Sequence, residues 1–230
     1  MKTIGIIGGV TWHSTAKYYK LINEVVNARL GGVHSAQILL YSVDFDEIED
    51  LQENHGWDKV AERLIEIAKI LEKGGADFIL ICANTMHKLV GLIELEIGIP
   101  ILHIADATAR AIKAEGLQKV GLLGTKYTME EDFYKDKLEH HGLDVILPTK
   151  EDRKIISDII YNELVIGKIL GSSKKEYLRI IDDFVENGAE GIILGCTEIG
   201  ILVSSEDTEI PLFDTTPIHA LAAVEHVLHE

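Results

Sequence analysis

The 230-residue chain carries two cysteines, and each closes an apolar run that ends in polar side chains. The runs are DFILICANT (77–85) and EGIILGCTE (190–198). A thiol with a pKa of ~8.5, lowered by the start of a helix, offers both thiol and thiolate near neutrality. Two acid–base groups on opposite faces of one carbon can invert it. One takes the α-proton and the other delivers a proton from the far side. Backbone N–H groups opening the following helices would hold a carboxylate and stabilise an enediolate-like transition state. This chemistry requires no cofactor. No metal is expected either, because His87, His103 and His219 match no H-x-x-x-H or Cys/His spacing.

The two runs read as copies of one unit. A shift of 113 places Gly75, Ala76, Asp77 and Ile79 on Gly188, Ala189, Glu190 and Ile192. A shift of 116 places Ile4-Gly5-Ile6-Ile7-Gly8 on Val120-Gly121-Leu122-Leu123-Gly124. Two blocks with nearly one shift describe two similar α/β halves. The cysteines themselves are not equivalent: 196 − 113 = 83, so Cys196 lies opposite Ala83, one place beyond Cys82. Side chains alternate faces along a strand. Ala83 and Cys82 are therefore expected on opposite faces, with Cys82 a small buried hydrophobe and Cys196 the thiol of the site.

The elements that must position these residues alternate along the whole chain. Strands are expected at 3–9, 36–42, 77–83, 99–104, 119–125, 144–148 and 190–196. Ser14 is expected to cap a helix with apolar Tyr18, Leu21, Ile22, Val25 and Val26. A second helix keeps its spacing from Trp57 to Leu71 and stops at Gly74-Gly75, and a last one spans 217–229. Such alternation predicts an α/β protein with parallel sheets covered on both faces. The halves are expected at 1–103 plus 212–230, and at 104–211. If the strand ends of the two halves face each other, they form a shared cleft, where open α/β sheets bind ligands. Near those ends lie Asn84 and Thr85 in one half, and Thr197 and Glu198 in the other. Thr125, Tyr127 and Thr128 would form a carboxylate-binding turn, matched in the first half by Gly9-Val10-Thr11.

A net charge of −16 argues against nucleic acid or an anionic membrane as partner and leaves a small molecule. No apolar run approaches the ~20 residues that span a bilayer. MKTIGIIGGVTWHS does not read as a signal peptide. Two cysteines in this length fit a reducing, cytoplasmic compartment.

Seven segments carry a family resemblance: IGIIGGVTWHST (4–15), YSVDF (41–45), CANTMHK (82–88), HIADAT (103–108), LLGTKYTM (122–129), GCTEIG (195–200) and FDTTPIHA (213–220). They resemble the aspartate/glutamate racemase superfamily, the cofactor-independent amino-acid racemases. The likeness is to the branch holding the broad-specificity and L-aspartate/glutamate-specific racemases. It covers the whole chain. It implies two pseudo-symmetric Rossmann-like domains with an interdomain cleft, frequently a homodimer, and PLP-independent racemisation at the α-carbon of aspartate or glutamate. It assigns the α-carboxylate and amino group of the substrate to Asn84 and Thr85, the equivalent place to Thr197 and Glu198, and a lid to the segment holding Gln52. Val10, Ala83, Thr125 and Thr128 complete the expected substrate-binding set.

One departure stands out. In well-studied members the residue directly before Asn-Thr is a catalytic cysteine, and here it is Ala83. Three accounts stay open. Cys82 reaches the site through a local bulge; or Thr85 or a bound water serves the Ala83 face; or a one-sided enzyme exchanges or decarboxylates its substrate, as one-cysteine arylmalonate decarboxylases of the superfamily do. A protein that binds an amino acid without turnover is the reading from another class. A dicarboxylic substrate should also meet a cation. Neither IEDLQE (48–53) nor IYNELVIGK (160–168) supplies an inward one, and Lys168 reads as exposed. The acidic substrate thus follows from the resemblance alone, and a neutral polar amino acid such as homoserine stays open.

Overall fold

The computed structural model describes residues 1–228, the side chains of Glu53 and His55 excepted. Its elements in chain order begin with β1 (Thr3–Gly8), α1 (Trp12–Leu30), β2 (Gln37–Ser42), α2 (Phe45–Asp50), a π-helical turn (Leu51–His55), α3 (Trp57–Lys73) and β3 (Phe78–Ile81). A 3-10 turn (Thr85–Leu89), α4 (Val90–Glu94), α5 (Ile104–Ala114), β4 (Lys119–Gly124), α6 (Lys126–Glu130), α7 (Asp132–His140) and β5 (Asp144–Ile146) follow. The chain continues with α8 (Lys150–Asn162), a 3-10 turn (Leu164–Ile166), α9 (Gly171–Glu186), β6 (Gly191–Gly195), α10 (Ile199–Leu202), β7 (Leu212–Asp214) and α11 (Thr215–Leu228). The closing helix was expected to reach 229; His229 lies outside the described residues.

The chain divides into two compact units, Met1–Ile104 with the segment from His219 onward, and Ala105–Ile218. The first holds a parallel sheet in the order β2-β1-β3, the second a parallel sheet in the order β5-β4-β6-β7. Residues 212–218, expected in the first half, belong to the second unit. There β7 pairs with β6, Ile192 opposite Leu212.

In the first unit the strands read with a period of two. Ile4, Ile6, Phe78, Leu80 and Cys82 pack with Tyr18, Ile22 and Val26 of α1 and with Ala220, Ala223 and Val224 of α11. Ile7, Ile79, Ile81 and Ala83 pack on the other face, with Leu64, Ile67, Ala68 and Leu71 of α3. In the second unit Leu123, Ile192, Leu194 and Cys196 pack with Ile156 and Ile160 of α8 and Tyr177, Ile181 and Phe184 of α9. The apolar stripe of a helix and the alternate residues of a strand thus seal each core.

The repeated GA-acid unit has a physical reason. Gly75 and Gly188 adopt φ of 94° and 83°, which glycine tolerates, and each ends a helix. The next N–H, of Ala76 or Ala189, closes back on Leu71 or Phe184. The acid then caps the neighbouring strand: the Thr3 N–H donates to Asp77, and the Lys119 N–H donates to Glu190. The likeness extends further. The Ile79 N–H donates to Pro100 O at 2.9 Å, and the Ile192 N–H donates to Pro211 O at 2.8 Å.

Three local expectations differ. The strand expected at 99–104 is a single parallel bridge, Ile79 with Ile101. Pro100 has no N–H to donate, and only its carbonyl serves the sheet, accepting from Ile79. Residues 212–214, by contrast, do form a strand. And α1 begins earlier than expected. Thr11 is its cap and accepts from the Ser14 N–H, while the Ser14 hydroxyl donates to Thr11 O.

Candidate active site

Each unit presents a strand end followed by a turn. In the first, β1 ends in Gly8-Gly9, and Gly9 has φ of 97°. A Cβ there would meet the Val43 carbonyl oxygen at 2.2 Å, so only glycine fits. The Gly9 N–H donates to the Thr15 hydroxyl at 2.8 Å. Val10 is half-buried and packs on the same cluster as Ala83. The Ser14 hydroxyl shares its one hydrogen between Thr11 O and Cys82 O, the latter at 3.2 Å, tying the start of α1 to the end of β3. Asn84 and Thr85 are buried there, at the start of the 3-10 turn. Gln52 is half-buried on the π-helical turn.

The two cysteines occupy different surroundings. Cys82 sits at 1% exposure in the apolar cluster under Tyr18 and Ala220. Ala83 is on the opposite face. Cys196 lies on the face of Ile192 and Leu194, the counterpart of Ile79 and Ile81, so its counterpart by face is Ala83. The counterpart of Cys82 is Gly195, where a Cβ would meet Leu123 O at 2.7 Å.

Cys196 has polar company. Its Sγ–H donates to Glu198 Oε2 at 3.2 Å, and the Thr197 hydroxyl donates to the same oxygen at 2.6 Å. Gly200 lets Asp214 approach, since a Cβ would stand 2.5 Å from Asp214 Oδ2. Burial first, and then the charges of Glu198 and Asp214, push the Cys196 thiol well up. Burial alone pushes the Cys82 thiol up. The Glu198 N–H does lower the Cys196 thiol, but burial and two carboxylates outweigh it, and at Cys82 nothing opposes burial. Thr125 caps α6 by accepting from the Thr128 N–H, and the two hydroxyls lie 3.2 Å apart.

The three histidines meet in the first unit. The rings of His87 and His103 lie 4.7 Å apart, and those of His87 and His219 lie 5.6 Å apart. The His87 Nδ1–H donates to Ala83 O at 2.9 Å. His219 donates from Nε2 to Leu102 O at 2.7 Å, so its Nδ1 accepts from the Tyr18 hydroxyl at 2.8 Å. Among the described residues no group of His, Cys, Asp and Glu is arranged to hold a metal ion.

Lys168 is exposed, as its position in the sequence suggests. The sequence reading passed over another cation. Lys88 is half-buried, and its ammonium stands 4.2 Å from the centre of the Trp57 ring. Only the fold brings residue 88 to residue 57, and no motif in the sequence marks the pair.

Two parallel α/β units, each with a polar turn at its strand end, define the class of protein. The Asp/Glu/Hydantoin racemase family model matches residues 7–223. The chain belongs to this family. It is 51% identical to a Yersinia pestis protein of known structure described as a proposed Asp/Glu racemase, with all of both chains covered and a TM-score of 0.93. A solved aspartate racemase homologue from Pyrococcus horikoshii OT3 is 37% identical over all of both chains, with a TM-score of 0.85. The broad specificity amino-acid racemase RacX of Bacillus subtilis is 25% identical over 98% of each chain. Among the described residues no helix is long and apolar enough to cross a membrane.

Proposed function

We propose that the chain racemises aspartate or glutamate at the α-carbon without pyridoxal phosphate, with Cys196 as the acid–base group of one face. The observation that supports this most is the Cys196 thiol donating to Glu198 at a strand's C-terminal end. The resting group is a thiol, so it can deliver a proton directly. To act as a base it passes its proton to Glu198, which Thr197 holds in place. A substrate ammonium against Glu198 would cancel part of the charge that holds the thiol protonated, so the substrate prepares its own base. In the reaction the α-C–H bond breaks and its proton goes to sulfur. The electron pair rests in the enediolate until a proton enters from the other face.

The second proton carrier is not a thiol in this reading. Ala83 stands where the first unit would offer one, Cys82 packs in the core, and Thr85 is the hydroxyl two residues on. Ala83 also favours a second reading, a one-sided enzyme that exchanges or decarboxylates without inversion.

The test is α-proton exchange in heavy water, followed by NMR, with the enantiomer ratio followed by chiral chromatography. Exchange with inversion on aspartate or glutamate is expected. Cys196→Ala should slow it about a thousandfold, and Cys82→Ala should leave it unchanged. Exchange without inversion would select the second reading. Loss in both variants would restore a two-thiol mechanism, and no exchange with any amino acid would remove the racemase reading.

A further inference from the structure

We propose that His103, backed by His87, is the proton store of the Ala83 face and supplies the proton that completes inversion. The proposal deepens the racemase reading and rests on it for the reaction. A hydroxyl such as that of Thr85 can pass a proton on but cannot hold a spare one near neutrality, whereas an imidazole can. A face without a thiol needs such a group behind it.

The repeat marks the place. The shift of 113 that sets Cys196 on Ala83 also sets Gly200 on His87. The segments after the prolines match with a shift of 111, Pro211 on Pro100, Leu212 on Ile101 and Asp214 on His103. Pairing agrees, since Ile192 stands opposite Leu212 in one unit and Ile79 opposite Ile101 in the other. In the second unit Asp214 comes so near Gly200 that a Cβ there would stand 2.5 Å from its carboxylate. In the first unit the same two positions hold the rings of His103 and His87, 4.7 Å apart. The charge of Asp214 acts on Cys196, so this position is within electrostatic reach of the acid–base position of its unit. Where the second unit has a thiol and a carboxylate, the first has Ala83 and two imidazoles.

The side of the sheet agrees as well. Ile101 packs with Ile79, Ile81 and Ala83, and Leu102 packs on the opposite cluster with Cys82. Alternation then brings His103 out on the Ala83 side. His87 is tied to Ala83 directly, its Nδ1–H donating to Ala83 O at 2.9 Å, and it shares the 3-10 turn with Thr85. The neighbouring titratable groups come from α11, α1 and the end of β3. The His219 ring lies 5.6 Å from that of His87, and its Nδ1 accepts from the Tyr18 hydroxyl. Burial pushes the Cys82 thiol up, so it carries no charge near neutrality. In the step, the imidazolium N–H bond breaks and its proton moves to the Thr85 oxygen. The Thr85 proton moves to the α-carbon, where the enediolate electron pair forms the new C–H bond. A neutral imidazole remains.

Each enantiomer of aspartate and of glutamate is incubated separately in heavy water with the wild type, His103→Gln and His87→Gln. NMR reads α-proton exchange, and chiral chromatography reads inversion. In His103→Gln one enantiomer should keep its exchange, through Cys196 and Glu198, while its inversion falls about a hundredfold. The other should lose both. His87→Gln should show the same split more weakly. Exchange and inversion falling together for both enantiomers, or inversion at the wild-type rate, overturns the proposal. The wild type gives a second measurement that no folding defect can obscure. For one enantiomer the ratio of inversion to exchange should fall as pH rises through about 6.5, where imidazolium is lost. A ratio flat for both enantiomers between about pH 5 and 8 overturns the proposal. Wild-type exchange without inversion would remove this proposal and leave Cys196 as a one-sided base. No wild-type exchange would remove the racemase reading itself, and this proposal with it.

Discussion

At the scale of the residue, burial first and Glu198 second set the state of Cys196. The burial of the site and the Glu198 charge hold the thiol protonated. Glu198→Gln removes the charge, so the thiol pKa must fall. Thiolate absorbance in the ultraviolet, titrated in a Cys82→Ala background, should rise at lower pH than with Glu198 present. An unchanged curve would mean that burial alone sets the thiol. Cys82 is a matter of packing. Cys82→Ala should lower stability by about 1–2 kcal/mol through the cavity left under Tyr18, read as a shift in the urea midpoint. The different placing of the two cysteines was legible in the sequence, because the repeat put Cys196 opposite Ala83 and strand alternation did the rest. The direction of the thiol shift was not. Neither burial nor the approach of Asp214 past Gly200 can be read from GCTE. The contact of Lys88 with Trp57 was equally hidden, since it depends on a 3-10 turn and on a tryptophan 31 positions earlier.

At the scale of the element, the repeat explains why both sheets end as they do. Gly9 is the tightest point, combining a positive φ with the Val43 backbone at its α-carbon. Gly9→Ala should cost about 3 kcal/mol or more, from strain and overpacking together. Thermal denaturation would check it, and a loss below 1 kcal/mol (about the least such strain costs) would show that the turn yields. The parallel strands and the main helices were legible from β-rich runs and helical spacing. The fates of 99–104 and 212–214 were not. Each follows a proline that supplies only a carbonyl, to Ile79 in one unit and Ile192 in the other. Three residues separate the proline from the next helix in both units, 101–103 before α5 and 212–214 before α11, yet only the second trio pairs as a strand. Apolar content alone does not reveal that.

At the scale of the whole molecule, ion-paired carboxylates and buried thiols leave the fold sensitive at both ends of the pH range. Against the opposing effect of burial, His141 and Lys137 hold Asp106 below the usual carboxylate range. Arg179 holds Asp152 down, and Lys174 holds Asp207 down. A carboxylate lowered in the fold contributes stability that is present above its unfolded pKa and lost as pH falls through its folded one. The urea midpoint should therefore be level near neutrality and decline below about pH 4. Burial raises Cys82, Cys196 and Tyr134. Groups raised in this way contribute stability that is present below their unfolded values and lost above them. A second decline should begin above about pH 9. A midpoint that stayed flat into either range would contradict these assignments.

Cys82 and Ala83, just past the end of β3, keep the strand's alternation between the two sides of the sheet, and this turns sequence order into an address. Exchanging two adjacent letters, with Cys82→Ala and Ala83→Cys in one chain, changes neither atom count nor mass. The two proteins would be isomers that a mass spectrometer weighs as equal. Yet the sulfur would have passed from the side of Tyr18 and Ala220 to the side of Ile79 and Ile81, where its counterpart Cys196 stands in the other unit. A change of reactivity between such isomers could not be charged to composition, only to the side of the sheet on which the sulfur emerges.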